Sequence, residues 1–306
     1  MNPKDDFIKK GYVIFPNLIS SELIDKLLES FENFKERNLL FYSQSEHNWR
    51  RVKSDLDENN FLTSSFENFT NLIWAGKMSY YGRNILQSNV ILEKLQELSE
   101  YNKFVMWQNM LFDKSTGTVD HIDSWYLDTN PFGNLIAAWV ALEDIDGRGG
   151  SFHVYPKSHL DPDQNWRNIN SHDDFVSWSN NLSAKYKKKE ALLKKGDVLF
   201  WHPLLIHGAT NQLNIGNSRK SLTAHYYPKS LLQGRRGEKL NPETNNYKRK
   251  VHSRNKRIRY FNNHPIASNV SRKRCISWSI KGVLNYFLTS NKTFDLMNRK
   301  NYNFLK

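Results

Sequence analysis

Apolar residues recur at two different spacings along this chain, and the change of spacing divides it. Leu23, Ile24, Leu27, Leu28, Phe31 and Phe34 return every three or four positions, the period of a helix with one buried stripe. Ser20 or Ser21 supplies an N-cap ahead of them. Glu22 stands in the first turn, where a negative charge meets the positive end of the helix dipole. The same period over Val90, Ile91, Leu95 and Leu98 predicts a second helix from about Asn89 to Glu100. Before both, Gly11 followed by Tyr12-Val-Ile-Phe-Pro16 predicts a short strand stopped by proline.

From Tyr101 the helical period disappears. Phe104–Phe112 and Asn134–Leu142 are long apolar runs rich in β-formers and bounded by turn residues. Gly149-Gly150 leads into Ser151–Tyr155, and Gly196-Asp197 into Val198–His202. Pro203 interrupts, Leu204–Ile206 resumes, and Lys220–Tyr227 closes the series. Short strands with Gly, Pro and Asn turns, plus one polar insertion at about 160–190, predict a mainly β fold with flanking helices. The core would be an antiparallel barrel or jelly roll with two helices outside it.

Composition bounds the reading further. The 306 residues are 25% charged and 39% hydrophobic, which suits a globular chain and excludes collagen, a disordered tail or a disulfide-stapled miniprotein. The single cysteine, Cys275, forbids an internal disulfide and favours a reducing cytoplasm. No apolar run approaches the roughly eighteen residues that span a bilayer, and Met1–Asp6 carries no secretory signature. The expectation is a cytoplasmic protein that is not transmembrane. The net charge of +13 is uneven: residues 1–228 hold 25 Lys and Arg against 28 Asp and Glu, whereas residues 229–306 hold 19 against 3. This divides the chain into a near-neutral domain, 1–228, and a basic C-terminal extension, 229–306, read as part of the same folded unit.

Ten histidines invite a metal reading, and spacing rejects most of them. A facial iron site takes two imidazoles and one carboxylate, leaving positions open for co-substrate and oxygen. His-x-Asp on a strand supplies two of the three, because residues two apart project to one side. The pattern occurs at His121-Ile-Asp123 and at His172-Asp-Asp174. The second lies in a polar stretch without apolar cover and reads as a solvated loop. For the third ligand His202, His207 and His225 all qualify; His207 is preferred because it ends an apolar run and precedes Gly208, where backbone can approach closely. Further on, Arg219 offers the planar, permanent charge that grips a carboxylate bidentately.

With His121-Ile-Asp123, Trp139 in Ala-Ala-Trp-Val-Ala-Leu, Gly149–His159, Lys195–Gly208 and Arg219-Lys-Ser on the page, the chain resembles the phytanoyl-CoA dioxygenase family of Fe(II)/2-oxoglutarate oxygenases over roughly residues 8–228. The resemblance implies a double-stranded β-helix of the cupin-like type. It implies Fe(II) on His121, Asp123 and His207, and 2-oxoglutarate anchored by Arg219, with Trp139 and Gln108 lining the co-substrate pocket and Lys53 reaching it. O2 would be the second co-substrate and ascorbate a reductant. The implied reaction hydroxylates an unidentified small organic substrate and releases succinate and CO2, with Trp125 and Tyr126 near the substrate; no side-chain acid or base is required, and the basic surface, apart from the resemblance, favours an anionic substrate. Asp123 argues against halogenation, for which the family opens that position. Two departures stand out: Ala209 replaces a hydroxyl residue, and the longer gap after His207 leaves Arg219 and Lys220 competing for the inward position, with Arg219 preferred.

A rival reading makes the chain an inactive β-barrel binding protein whose extension touches nucleic acid or an anionic membrane. Lys248-Arg-Lys250, Arg254, Lys256-Arg257, Arg259 and Arg272-Lys-Arg274, with Tyr247, Tyr260 and Phe261, would serve the first. Ile280, Val283, Leu284, Phe287 and Leu288 at helical spacing would serve the second, or would pack on the barrel. The sequence does not determine the oligomeric state.

Overall fold

The computed structural model describes residues 2–169, 171–212, 216–235, 240–241, 246–247, 250–251, 266–268 and 272–289. The chain opens with α1 (Pro3–Lys10), a helix the apolar period does not announce because only Phe7 is buried. Polar signals build it: Asn2 accepts from the Lys4 amide, Asp5 and Asp6 occupy the first turn and Lys9 and Lys10 the last. Gly11 ends it at φ 83°, and a Cβ there would stand 2.5 Å from His159 Nδ1. β1 (Tyr12–Phe15) follows, then α2 (Ser21–Glu36), capped by the Ser20 hydroxyl and burying Ile24, Leu27, Phe31 and Phe34.

The next stretch has no clean period yet is ordered. The hairpin β2 (Leu40–Ser43) and β3 (Asn48–Arg51) is joined by the short β4 (Phe66–Glu67), and α3 (Gly76–Leu86) packs on α2. The buried face of α3 mixes Met78, Ser79, Gly82 and Ile85, and such small or polar positions hide a helical stripe. α4 (Asn89–Leu98) is the expected second helix. The expectation of two outer helices therefore falls short by α1 and α3.

β5 (Phe104–Phe112) is followed by the single turn α5 (Asp123–Tyr126), then β6 (Leu127–Asn130), β7 (Ile136–Ala141) and β8 (Phe152–Val154). The insertion is not a bare solvated loop. It carries α6 (His172–Ser183), capped by Ser171, whose Phe175 is buried with Trp125, Trp166 and Leu182. β9 (Lys189–Glu190), β10 (Val198–Trp201), β11 (His207–Ala209), β12 (Ser221–Pro228) and β13 (Leu232–Arg235) complete the body. Leu204–Ile206 forms no strand; the strand starts at His207.

Nine strands form one sheet in the order β1-β10-β7-β12-β5-β4-β2-β3, with Ile266–Ser268 pairing in parallel with β5; β11-β8-β9 form a second sheet. Alternation along the central strands gives the large sheet two faces. Ala138, Val140, Phe200, Leu222, Ala224 and Tyr226 face the helical layer. Ala137, Trp139, Leu199 and Trp201 face the smaller sheet through Phe152 and Val154. The architecture is the jelly-roll, cupin-like double-stranded β-helix, and the space between its two sheets is where the chemistry-bearing residues converge.

Some of the described elements after Pro228 touch this body. β13 pairs with β6, and α7 (Arg272–Thr289) packs Trp278, Val283 and Tyr286 on the main core. Apart from the backbone of Tyr247, Lys250 and Arg272–Arg274, the basic and aromatic runs singled out in the extension lie outside the described residues.

Candidate metal centre

His121 and His207 meet as an isolated antiparallel bridge, each backbone amide donating to the other's carbonyl at 2.9 Å. Asp123 then begins α5 rather than continuing a strand, so it is the helical turn that brings the carboxylate round. Asp123 Oδ1 lies 3.8 Å from His121 Nε2 and 3.6 Å from His207 Nε2. Ligand atoms of these three residues all fall within 4.8 Å of one another.

The neighbours fix which atoms face inward. His121 Nδ1 donates to the Val119 carbonyl at 2.8 Å and His207 Nδ1 to the Leu205 carbonyl at 2.9 Å. A carbonyl only accepts, so in the neutral rings both Nε2 atoms carry lone pairs toward the centre. Burial pushes His207 down to about 3 and also lowers His121. Burial alone would raise the Asp123 carboxyl; the His225 and His207 imidazoles outweigh it and hold it below the usual carboxylate range. Two neutral imidazoles and one carboxylate form the donor set a divalent metal requires.

Two braces hold this set. Trp201 Nε1 donates to Asp123 Oδ2 at 2.9 Å, which leaves Oδ1 facing the histidines. Behind His121, Asp120 accepts from His153 and from the Tyr155 hydroxyl, both at 2.6 Å. Gly208 makes room for that cluster, since a Cβ there would stand 2.5 Å from Asp120 Oδ1.

The inner face of β12 and the residues just before it carry a polar stripe. Arg219, Ser221, Thr223 and His225 alternate along it, all buried. Arg219 Nε, Ser221 Oγ and His225 Nδ1 are buried without a hydrogen-bond partner. Buried polar atoms normally find partners, so such a row fits a polar ligand between the sheets. Burial lowers Arg219 only to about 10, so it stays protonated at neutral pH. Its guanidinium sits 5.4 Å from the Phe112 ring and 5.6 Å from the Trp139 ring. Trp139 stacks on Phe152, whose ring lies 5.5 Å from that of His207. Arg219 is thus linked to His207 through the contiguous rings of Trp139 and Phe152.

Lys220 turns the other way, 2.6 Å from Asp113 and 3.3 Å from Glu32. Gln108 pairs in register with His225 and donates to Glu67 at 3.0 Å. Tyr126 stands edge-on to His121 at 5.7 Å, while Trp125 is stacked under Phe175 at 4.2 Å. Lys53 is exposed on a 3-10 turn beside β3 and does not join the buried group. His202 packs between Phe7 and His159, and His172, the first residue of α6, lies 3.1 Å from the Tyr126 hydroxyl. His225 lies 3.3 Å from Asp123 Oδ1, beside the three-residue cluster. Sequence reasoning passed over Ser221, Trp201 and Asp120. Ser221 was legible as the same-face position two after Arg219; Trp201 and Asp120 needed the fold, which alone brings them to Asp123 and His153.

A family model described as phytanoyl-CoA dioxygenase (PhyH) matches residues 7–221. The peroxisomal phytanoyl-CoA dioxygenase of Bos taurus is 31% identical over 116 residues, covering 35% of this chain and 32% of that protein. A phytanoyl-CoA dioxygenase domain-containing protein 1 homolog of Caenorhabditis briggsae is 26% identical over 137 residues, covering 42% of this chain and 46% of its own length. The chain thus spans between about a third and a half of these curated relatives. Among solved structures, the non-heme alpha ketoglutarate dependent carbocyclase SnoK matches with TM-score 0.57 and 16% identity over 75% of this chain and 84% of that one. EctD from S. alaskensis, with 2-oxoglutarate and 5-hydroxyectoine, matches with TM-score 0.52 and 15% identity over 74% and 75%. At these identities the structural likeness concerns the fold.

Proposed function

Because the chain belongs to the phytanoyl-CoA dioxygenase family, we propose that it is a non-haem Fe(II)/2-oxoglutarate-dependent oxygenase that hydroxylates a small organic substrate, with succinate and CO2 as co-products. The observation that carries this reading is the row of buried, unpartnered polar atoms from Arg219 to His225 running beside the His121, Asp123 and His207 donors. One end of that row suits a carboxylate and the other a metal. Solved neighbours described with Fe3+ and alpha ketoglutarate, or with 2-oxoglutarate, support the same pairing.

In this reading His121 Nε2, Asp123 Oδ1 and His207 Nε2 hold the iron, which when bound supplies oxygen activation coupled to oxidation of the 2-oxo acid. The protein's own part is positional. Arg219, steadied between Phe112 and Trp139, binds the distal carboxylate of 2-oxoglutarate with the Ser221 hydroxyl beside it. Trp201 fixes the orientation of Asp123, and His225 flanks its free oxygen. Phe152 and the stacked rings exclude water. Tyr126 forms the wall nearest the substrate, with Trp125 and Phe175 behind it. Lys53 is left out of the co-substrate site, and the cytoplasm remains the proposed compartment on the strength of the single cysteine.

Purified protein given Fe(II), 2-oxoglutarate and ascorbate is expected to release succinate, slowly even without added substrate. His121→Ala is expected to abolish that release. Wild-type protein that neither binds Fe(II) nor forms succinate, or an His121→Ala variant as active as wild type, would sink the proposal.

A further inference from the structure

Of the polar row on β12, His225 reaches a candidate ligand directly. It is buried, and its Nε2 lies 3.3 Å from Asp123 Oδ1, the same oxygen that faces His121 Nε2 and His207 Nε2. The other Asp123 oxygen accepts from Trp201 Nε1 at 2.9 Å. Trp201 also stands edge-on to His225, with ring centroids 6.0 Å apart. The strands on either side shape this placement. On one side His225 pairs with Ala137, whose small side chain leaves room on that face. On the other it pairs with Gln108, and the register shifts immediately afterwards: Tyr226 pairs with Met106, so that Trp107 is passed over. A bulge of this kind re-aims a side chain and is common beside active sites. His225 Nδ1 is buried with no hydrogen-bond partner among the described residues. A histidine present only for packing would have both nitrogens satisfied or would give way to an apolar residue.

We propose that His225 is a positioning residue of the metal centre, its Nε2 donating to Asp123 Oδ1 so that the carboxylate, held at both oxygens, offers the metal a single atom. A carboxylate only accepts, so in the neutral ring the nitrogen facing it carries the proton and Nδ1 the lone pair. With an N–H donor on each oxygen the carboxylate does not turn to chelate through both, which keeps coordination positions open for the 2-oxo acid. His225 does not itself complete the ligand set. The group whose ligand atoms lie within 4.8 Å of one another is His121, Asp123 and His207. The inference rests on the oxygenase reading and adds to it a residue beyond the three ligands and Arg219.

The test is anaerobic titration of wild type, His225→Phe and His225→Gln, first with Fe(II) and then with 2-oxoglutarate. Phenylalanine keeps a ring and removes the donor; glutamine returns an N–H near the place of Nε2. His225→Phe is expected to bind Fe(II) about 10–100-fold more weakly while still taking one per chain at saturation. Its charge-transfer absorption with 2-oxoglutarate is expected at longer wavelength, because a carboxylate relieved of a donor gives more electron density to the metal. His225→Gln is expected to recover the wild-type wavelength and most of the affinity. A merely structural role would lower the thermal midpoint of the metal-free protein and leave the wavelength of the bound complex unchanged, and that result would overturn the proposal. So would unchanged affinity in His225→Phe, or a glutamine variant no better than the phenylalanine one. Complete loss of Fe(II) from both variants would make His225 a ligand and overturn the positioning role. Wild type without any absorption would defeat the oxygenase reading itself, whereas a wild-type signal with unaltered variants would defeat only the part given to His225.

Discussion

The inner face leading into β12 and the outer face of α7 depart from ordinary burial in opposite directions. On β12 the polar groups of Arg219, Ser221 and His225 are buried with hydrogen-bonding atoms left over. On α7 the apolar side chains of Ile280, Leu284 and Phe287 are exposed in a line. Folding gains nothing from either arrangement: an unsatisfied buried donor costs roughly 1–3 kcal/mol, and an exposed leucine or phenylalanine forgoes its burial. The first face becomes sensible once a small polar ligand completes it. Departures from local consistency of this kind concentrate where a protein does its work.

Breaking the β12 face should have the largest effect. Arg219→Ala is expected to raise the KM for 2-oxoglutarate by about 100-fold, with Arg219→Lys recovering part of the loss, because a point charge replaces a planar fork. Succinate formation at varied 2-oxoglutarate measures this; an unchanged KM would return Arg219 to the core. A smaller effect is expected at the brace. Trp201→Phe keeps the ring packing but removes the 2.9 Å hydrogen bond to Asp123, and should weaken Fe(II) binding about 10–100-fold, read by metal titration of the folded variant.

The smallest effect comes from a buried histidine that already has a partner. His202 Nδ1 accepts from the Leu204 amide at 3.2 Å, and burial pushes its pKa from 6.5 down to about 3. Between those values the unfolded chain takes up a proton that the folded chain refuses. Stability present above pH 6.5 should therefore be lost as the pH falls toward 3, at up to about 1.4 kcal/mol per pH unit for one such group. Thermal midpoints of metal-free protein should drop from pH 7 to pH 5, and less steeply in His202→Gln, which should still form succinate. An identical slope in the variant would show that other groups govern the acid limb.

What the sequence made legible follows from how locally each feature is encoded. α2 and α4 are each carried by one uninterrupted period, and the central strands β5, β7, β10 and β12 each by one apolar run between turn residues, and all appear where these signals predict. α1 is written in caps and charges around a single buried Phe7, and α3 buries Ser79 and Gly82, so neither shows as a stripe. At the site, type and spacing singled out His121, Asp123, His207 and Arg219 as candidates, and the fold brings ligand atoms of the first three within 4.8 Å of one another. The strand assumed for His-x-Asp was wrong in form, since α5 turns the carboxylate inward. Trp201 and Asp120 were not readable as braces, because their partners are 78 and 33 residues away. The inward choice of Arg219 over Lys220 likewise depended on Asp113 and Glu32 being present to take the lysine.

The proposed chemistry requires three side chains to form one metal centre beside Arg219. Anaerobic titration of the purified chain with Fe(II), in the presence of 2-oxoglutarate, measures it through the charge-transfer absorption of the ternary complex. One Fe(II) per chain is predicted for wild type, with no such absorption in His207→Ala and full absorption in His202→Gln. Equal signals from wild type and His207→Ala, or none from wild type, would contradict it.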